Sequence, residues 1–196
     1  MHKRVLLHGD YDHMGEAINL VNNFKVKKVI FNCGPSNDLE KELISVLDKK
    51  NIKYYSCIKD LNTDKYKLPF LNTGVYGNEN DNSNVIYFNY NNYKFLFMED
   101  AGIKKEKDIL DKYNLKNIDF LKVGHHGSNI SSSKYFIESI NPKYSLISVG
   151  KNNRYGHPKE PVLNILSNCK IYRTDLDGSI EIKLNKNEYK IRTCPP

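Results

Sequence analysis

Four candidate metal ligands stand within six consecutive residues, His8-Gly9-Asp10-Tyr11-Asp12-His13, and three more follow at a distance, Asp100 and the pair His125-His126. Imidazole nitrogen and carboxylate oxygen are the atoms that zinc, manganese and similar divalent cations accept as ligands. A site of this composition activates water for hydrolysis. Taken alone, the hexapeptide also has a plainer reading, a polar loop in which Asp10 or Asp12 caps the following helix. Asp100 and the histidine pair shift the balance, because each follows a strand-like segment. Strand ends gather on one rim of a sheet, where groups distant in sequence meet.

The elements that would position these groups alternate between periods of two and 3.6 residues, which indicates an α/β or α+β layered domain. Strands are expected at Arg4 to Leu7, Lys28 to Asn32, Lys53 to Cys57, Phe120 to Val123 and Tyr144 to Val149. Val85 to Tyr90 and Tyr93 to Met98 flank Asn91-Asn92 as a hairpin whose second strand delivers Glu99-Asp100. Helices are expected from Gly15 to about Asn23, from Ser36 as N-cap to Lys50, near Lys104 to Tyr113, near Ser131 to Ile140, and after Pro158 to about Ser167. Short strands close the chain around Ile171 to Arg173, Ser179 to Lys183 and Tyr189 to Arg192. Between Lys59 and Asn84 the sequence is polar and turn-rich, and reads either as a substrate loop or as solvent-exposed filler with one or two short strands.

The length of 196 residues suits one domain with one substantial core. Thirty Lys and Arg against 23 Asp and Glu give a formal charge of +7, which favours polyanionic ligands without choosing between nucleic acid and acidic lipid. Cys33, Cys57, Cys169 and Cys194 are far apart and form no CxxC pair, so neither a thiolate zinc site nor a compact disulfide scaffold is indicated, and reduced thiols in a cytosolic setting are expected. No apolar run approaches the roughly 20 residues that span a bilayer.

The hexapeptide with Met14-Gly15 resembles the HxHxDH metal motif of metallo-β-lactamase-fold hydrolases, in the variant where Asp replaces the second His. The variant is similar to the C-terminal hydrolase domain of ComEC-type DNA-internalisation competence proteins. The resemblance continues through Phe95 to Asp100, through Leu121-Lys122-Val123-Gly124-His125-His126-Gly127-Ser128, through the segment SVGKNNRYGHP ending at Pro158, and to Thr174-Asp175-Leu176-Asp177-Gly178. These ordered motifs cover nearly the whole chain, and the two long segments are far more specific than the hexapeptide.

The resemblance implies an αββα sandwich holding two divalent metal ions. His8 and Asp10 would help hold one, Asp12 and His13 the other, with Asp100 bridging and His125 completing the site. His126 is the alternative ligand, or a contact to the scissile phosphate. Three carboxylates tilt the preference toward Mn2+ with Zn2+ still allowed. Two such ions about 3.5–4 Å apart deprotonate a bridging water and stabilise both oxygens of an in-line displacement at phosphorus. The expected activity is therefore a metal-dependent phosphodiesterase acting on DNA, preferentially single-stranded and linked to DNA uptake, with Asp12 and His126 in catalytic roles. The candidate substrate contacts are Ser128, after the histidine pair, and Asn153, Tyr155 and His157, in the Lys151 to His157 loop whose cations, amides and ring could grip phosphate and stack a base.

The competing readings are a hydrolase of a small phosphodiester or nucleotide, and a non-catalytic nucleic-acid-binding fragment. Two departures from the family pattern bear on the choice. Glu99 stands where a small Gly is usual before the bridging Asp, and Glu16 follows Gly15 where a second Gly is common. The motif also begins at residue 8, so residues 1–196 read as a single hydrolase domain lacking the first strands of the family fold. Such a domain is expected in the cytoplasm as an isolated chain, or on the face of a membrane DNA-uptake channel supplied by a larger protein.

Overall fold

The computed structural model describes residues 9–62, 66–185 and 188–195. The expected first strand at Arg4 to Leu7 and the candidate ligand His8 lie outside the described residues.

Apolar residues on alternate positions of the strands sort the chain into layers. The helices α1 (Tyr11–Met14), α2 (Ala17–Asn23) and α3 (Asp38–Lys49) precede and separate the parallel strands β1 (Lys28–Phe31) and β2 (Lys53–Ser56). Successive strand side chains point to opposite faces. Val29 and Phe31 accordingly pack with Met14, Val21, Leu43 and Leu47 from the helices. Ile30 turns the other way, into a second cluster with Leu61, Phe70 and Ile86.

That second cluster lies against a five-stranded sheet. Its strands, in order, are β5 (Ile86–Tyr90), β6 (Tyr93–Phe97), β7 (Phe120–Lys122), β8 (Tyr144–Ile147) and β9 (Lys170–Arg173). β5 is antiparallel to β6, and β6 through β9 run parallel. Phe97 and Phe88 face the second cluster. Leu96, Leu121 and Ile147 face the outer helices α4 (Ile103–Lys112), α5 (Lys134–Ile140) and α6 (Glu160–Ile165), through Ile109, Phe136, Ile137, Ile140 and Val162. The succession is helices, sheet, sheet, helices, the αββα arrangement expected from the sequence.

An aromatic row fixes the register of the larger sheet. Phe88, Phe95, Phe120 and Tyr144 are direct cross-strand partners on four adjacent strands. Their rings stack at 4.8, 4.8 and 5.3 Å between centroids. Such pairs contribute about 0.5–1.5 kcal/mol each beyond area burial, and a slip of one residue would lose all of them at once. The closing hairpin, β10 (Ser179–Leu184) and β11 (Tyr189–Cys194), covers the row with Tyr189, whose ring meets Tyr93, Phe120 and Tyr144 edge-on.

Four details differ from the sequence reading. The helix after the hexapeptide is broken: Asp10 O accepts from His13 N and Met14 N, so α1 starts inside the motif, and α2 resumes only at Ala17. α3 is capped by Asn37 and not by Ser36, because Asn37 is three residues before Glu40 and the two close a capping box, Glu40 N to Asn37 Oδ1 at 2.9 Å and Asn37 N to Glu40 Oε2 at 3.0 Å. α5 begins at Lys134 with Ser133 as its cap, since the Ser132 and Ser133 amides are taken by the Glu106 carboxylate.

The fourth difference concerns the cysteines, where the expectation of reduced thiols fails. Cys33 and Cys57 are joined by a disulfide, while Cys169 and Cys194 are free. The pair is 24 residues apart in sequence. Only the parallel register, Phe31 opposite Ser56 with Cys57 N donating to Asn32 O, brings the two side by side at the strand ends.

The segment between β2 and β5 is not solvent-exposed filler. β3 (Asp60–Asn62) and β4 (Lys67–Pro69) form a small ladder, and Asp81, Asn82, Ser83 and Asn84 are buried. Beneath them lies Lys105 of α4, completely buried, with its ammonium 5.0 Å from the centre of the Tyr76 ring. Burial pulls this lysine down to about 8, against partial compensation from Asp81 and Asp108. Below pH 8 the native state therefore holds a disfavoured charge that the unfolded chain carries in water. As pH rises from about 8 toward the ordinary 10.5, the unfolded state binds more protons, and stability should increase by about 2 kcal/mol. Denaturant melts of wild type and Lys105→Met at pH 7.5 and 10 check this, with the rise expected in the wild type and absent from the variant.

Candidate metal centre

The parallel strands β6 to β9 all end on the same rim. β6 leads into Glu99-Asp100, β7 into the 3-10 turn Gly124–Gly127 that carries His125 and His126, and β8 into the loop from Ser148 to His157. The helical turn α1 brings Asp12 and His13 to the same place.

Asp12, His13, Asp100 and His126 each offer one ligand atom, and these atoms all lie within 4.8 Å of one another. His13 Nε2 is 3.4 Å from Asp100 Oδ1 and 3.7 Å from Asp12 Oδ2. His126 Nε2 is 3.4 Å from Asp12 Oδ2 and 3.9 Å from Asp100 Oδ1. Two carboxylates this close repel unless a cation lies between them. Two imidazole nitrogens and two carboxylate oxygens are the donor set such a cation takes. The residues present therefore fit a divalent metal.

The orientation of His126 follows from its second nitrogen. Nδ1 lies 2.6 Å from Ser148 O, and since a carbonyl only accepts, Nδ1 carries the proton. In the neutral ring Nε2 then presents its lone pair to the two carboxylates, the tautomer a metal ligand needs. The backbone gives the turn its shape: His125 and His126 both have positive φ, 46° and 53°, a conformation uncommon outside Gly. His125 N donates to Glu99 O at 2.7 Å, tying the histidine turn to the Asp100 turn.

His125 stands beside the four-residue group and not within it. Its Nε2 is 3.8 Å from Asp100 Oδ2, and its ring lies 6.0 Å from that of His157. Asp10 is exposed and occupies the N-cap position of α1 without a side-chain capping bond. Asp12 is the exposed member of the group, at 62%, whereas Asp100 is buried.

Among the candidate substrate contacts, Tyr155 is 59% exposed and stacked on His157 at 5.8 Å, with the Arg154 guanidinium 4.8 Å from its centroid. Burial, and secondarily the nearby His125, Lys159 and His126, hold His157 below the usual imidazole range. Asn153 has a different task. Its Oδ1 accepts from His157 N, and its Nδ2 donates to His157 O and Gly150 O, so both ends of the amide shape the loop. Ser128 is buried, its Oγ accepting from Ile130 N at 3.5 Å.

Sequence reasoning missed the segment Asn78 to Asn84, which touches both ligand-bearing turns. Gly9 N donates to Glu79 Oε1 at 2.8 Å, Asp100 N to Ser83 Oγ at 3.2 Å, and Gly102 N to Asp81 Oδ1 at 2.9 Å. The only available signal was the unusual density of amide and carboxylate side chains.

No family model matches the chain. The chain is 28% identical over 202 residues to ComE operon protein 3 of Bacillus subtilis (strain 168), an overlap of 98% of this chain and 26% of that protein. It is 38% identical over 99 residues to competence protein ComA of Neisseria gonorrhoeae, covering 48% of this chain and 14% of the relative. Recombination protein 2 of Haemophilus influenzae is 29% identical over 116 residues, 58% of this chain and 14% of its own length. Among solved structures, a metallo-β-lactamase superfamily protein of Thermotoga maritima superposes with a TM-score of 0.40 at 16% identity, over 75% of this chain and 70% of that one. The chain spans about a quarter of the length of the Bacillus relative, and over almost its own entire length it is similar to ComEC-type competence proteins.

Proposed function

We propose that the chain is a metal-dependent phosphodiesterase that cleaves DNA, preferentially single-stranded, as part of DNA uptake. The observation that carries this reading is the convergence of Asp12, His13, Asp100 and His126 on one point at a strand-end rim. His8 and Asp10 precede this group in the sequence and are proposed to complete a two-ion site, with manganese preferred over zinc because three carboxylates stand among the ligands. When bound, the ions supply an activated water and charge stabilisation at phosphorus. The similarity to competence proteins supports DNA as the substrate and a membrane channel, contributed by a longer protein, as the partner. Among the described residues no helix is long and apolar enough to cross a membrane.

The chain's own groups divide the remaining work. Asp12 faces solvent and is placed to take a proton from an incoming water. His126, fixed by Ser148, holds its Nε2 toward the reacting position. Tyr155 on His157 forms an exposed stacking platform, with Arg154 beside it to meet a phosphate. Asn153 serves this platform indirectly by closing the loop around His157.

Cleavage of end-labelled single-stranded DNA by the purified protein, with Mn2+ and with chelator, tests the reading. Metal-dependent cutting is the expected result. A folded, metal-loaded protein that hydrolyses bis(p-nitrophenyl) phosphate but leaves DNA intact would replace the polymer with a small phosphodiester as substrate. Retained, salt-sensitive DNA binding without metal uptake would replace the enzyme with a binding module.

A further inference from the structure

We infer that Glu79, with Asp81 and Ser83, is a positioning brace that sets the separation of the two ligand-bearing turns, so that metal affinity is controlled from a segment that supplies no ligand. The inference rests on the reading of the four-residue cluster as a metal centre.

The first hold is on the turn carrying Asp12 and His13. Glu79 Oε1 accepts from Gly9 N at 2.8 Å and from Asn32 Nδ2 at 2.6 Å. On the other side of the same residue, Asn37 Nδ2 donates to Gly9 O at 2.8 Å. Gly9 is thus gripped at both its amide and its carbonyl, one residue before Asp10. A Cβ on Gly9 would lie 2.5 Å from Asn37 Nδ2 and 2.9 Å from Glu79 Oε1, so a side chain there would displace the very groups that hold the turn.

The second hold is on the turn carrying Asp100. Ser83 Oγ accepts from Asp100 N and Asp81 Oδ1 from Gly102 N, so alternate residues of one short segment reach two turns that are about ninety positions apart in sequence. The segment is itself stiff. Asn82 accepts from Tyr76 N through Oδ1 and donates through Nδ2 to Tyr76 O and Asn78 O. Asn78 binds Asp81 twice, accepting from its N and donating to its Oδ2. Asn32, which shares the Glu79 oxygen, is buried at the end of β1 beside the Cys33–Cys57 disulfide.

A metal centre assembled from separate turns needs its donors held to a fraction of an ångström, and groups that orient ligands typically cost 10–100-fold in metal affinity when removed. Calorimetric titration of the full chain with Mn2+ alone tests the brace, alongside thermal melts without metal. Glu79→Ala is expected to weaken Mn2+ binding by about 10–100-fold, while Glu79→Gln, whose amide oxygen can accept the same two N–H groups, is expected to stay within about threefold of wild type. A residue that merely stabilised the fold would lower the melting temperature and leave the Mn2+ affinity of the folded protein unchanged, and that result would overturn the inference. Should Glu79→Ala fail to fold, Ser83→Ala carries the same test, with wild-type affinity counting against the brace. A wild type that binds Mn2+ tightly yet cleaves no phosphodiester would sink the hydrolytic reading and leave the brace to be judged on affinity. A wild type that takes up no Mn2+ would overturn the brace, since there would be nothing for it to position.

Discussion

Asp100→Ala is expected to lower Mn2+-dependent cleavage of single-stranded DNA by about 1000-fold or more, with the protein still folded. Three imidazoles surround this one buried carboxylate: His13 at 3.4 Å, His125 at 3.8 Å and His126 at 3.9 Å. Its loss removes the negative charge on which the donors converge. A bound divalent ion contributes several kcal/mol at phosphorus, and every 1.36 kcal/mol is tenfold in rate. Asp100→Asn preserves the shape and the amide contact to Ser83 while deleting the charge, and should lose nearly as much. Asp12→Ala is expected to cost less, about 10–100-fold, because this carboxylate is largely solvated and its electrostatic coupling is correspondingly screened. Initial rates at saturating Mn2+, with circular dichroism on each variant, decide the matter. Near-wild-type cleavage by folded Asp100→Ala would move the reaction elsewhere on the molecule.

The layers were readable in the sequence because period-two and period-3.6 patterning survive in the strands and outer helices, and because β6 to β9 are parallel and therefore place Asp100, the histidine turn and the Ser148 loop on one rim. What the sequence could not disclose depended on three-dimensional register. Adjacent histidines are indistinguishable by spacing, and only the 2.6 Å contact from Ser148 aims His126, rather than His125, into the four-residue group. The Cys33–Cys57 pairing needs the β1–β2 register, which no cysteine spacing encodes. Asn78 to Asn84 has the composition of an exposed turn, yet its polar side chains are satisfied internally and against two ligand turns, so composition pointed outward where hydrogen bonding points inward. Asn153 illustrates the reverse case: a donor-rich side chain beside a site, with its amide already committed to the loop.

Glu99 carries the second large effect, and its buried carboxylate has a local partner. The residue has φ of +50°, a conformation that costs a non-glycine side chain roughly 1–2 kcal/mol and that a glycine adopts freely. Its buried carboxylate lies 3.5 Å from Lys122 Nζ, on the neighbouring strand β7. The negative charge next to Asp100 is therefore matched by a lysine from the strand that leads into the histidine turn. Glu99→Gly alone relieves the backbone and leaves the Lys122 ammonium buried without its counter-charge, a change that costs about 3 kcal/mol or more for buried pairs. The single variant should consequently be destabilised by about 1–2 kcal/mol net. Glu99→Gly combined with Lys122→Met removes both charges, keeps the relief at the backbone, and is expected to recover wild-type stability or exceed it. Urea unfolding of the two single variants and the double variant gives the coupling energy directly. Additive effects would show that the pair contributes nothing as a pair, whereas a double variant more stable than Glu99→Gly would show that the buried Lys122 ammonium depends on the Glu99 carboxylate.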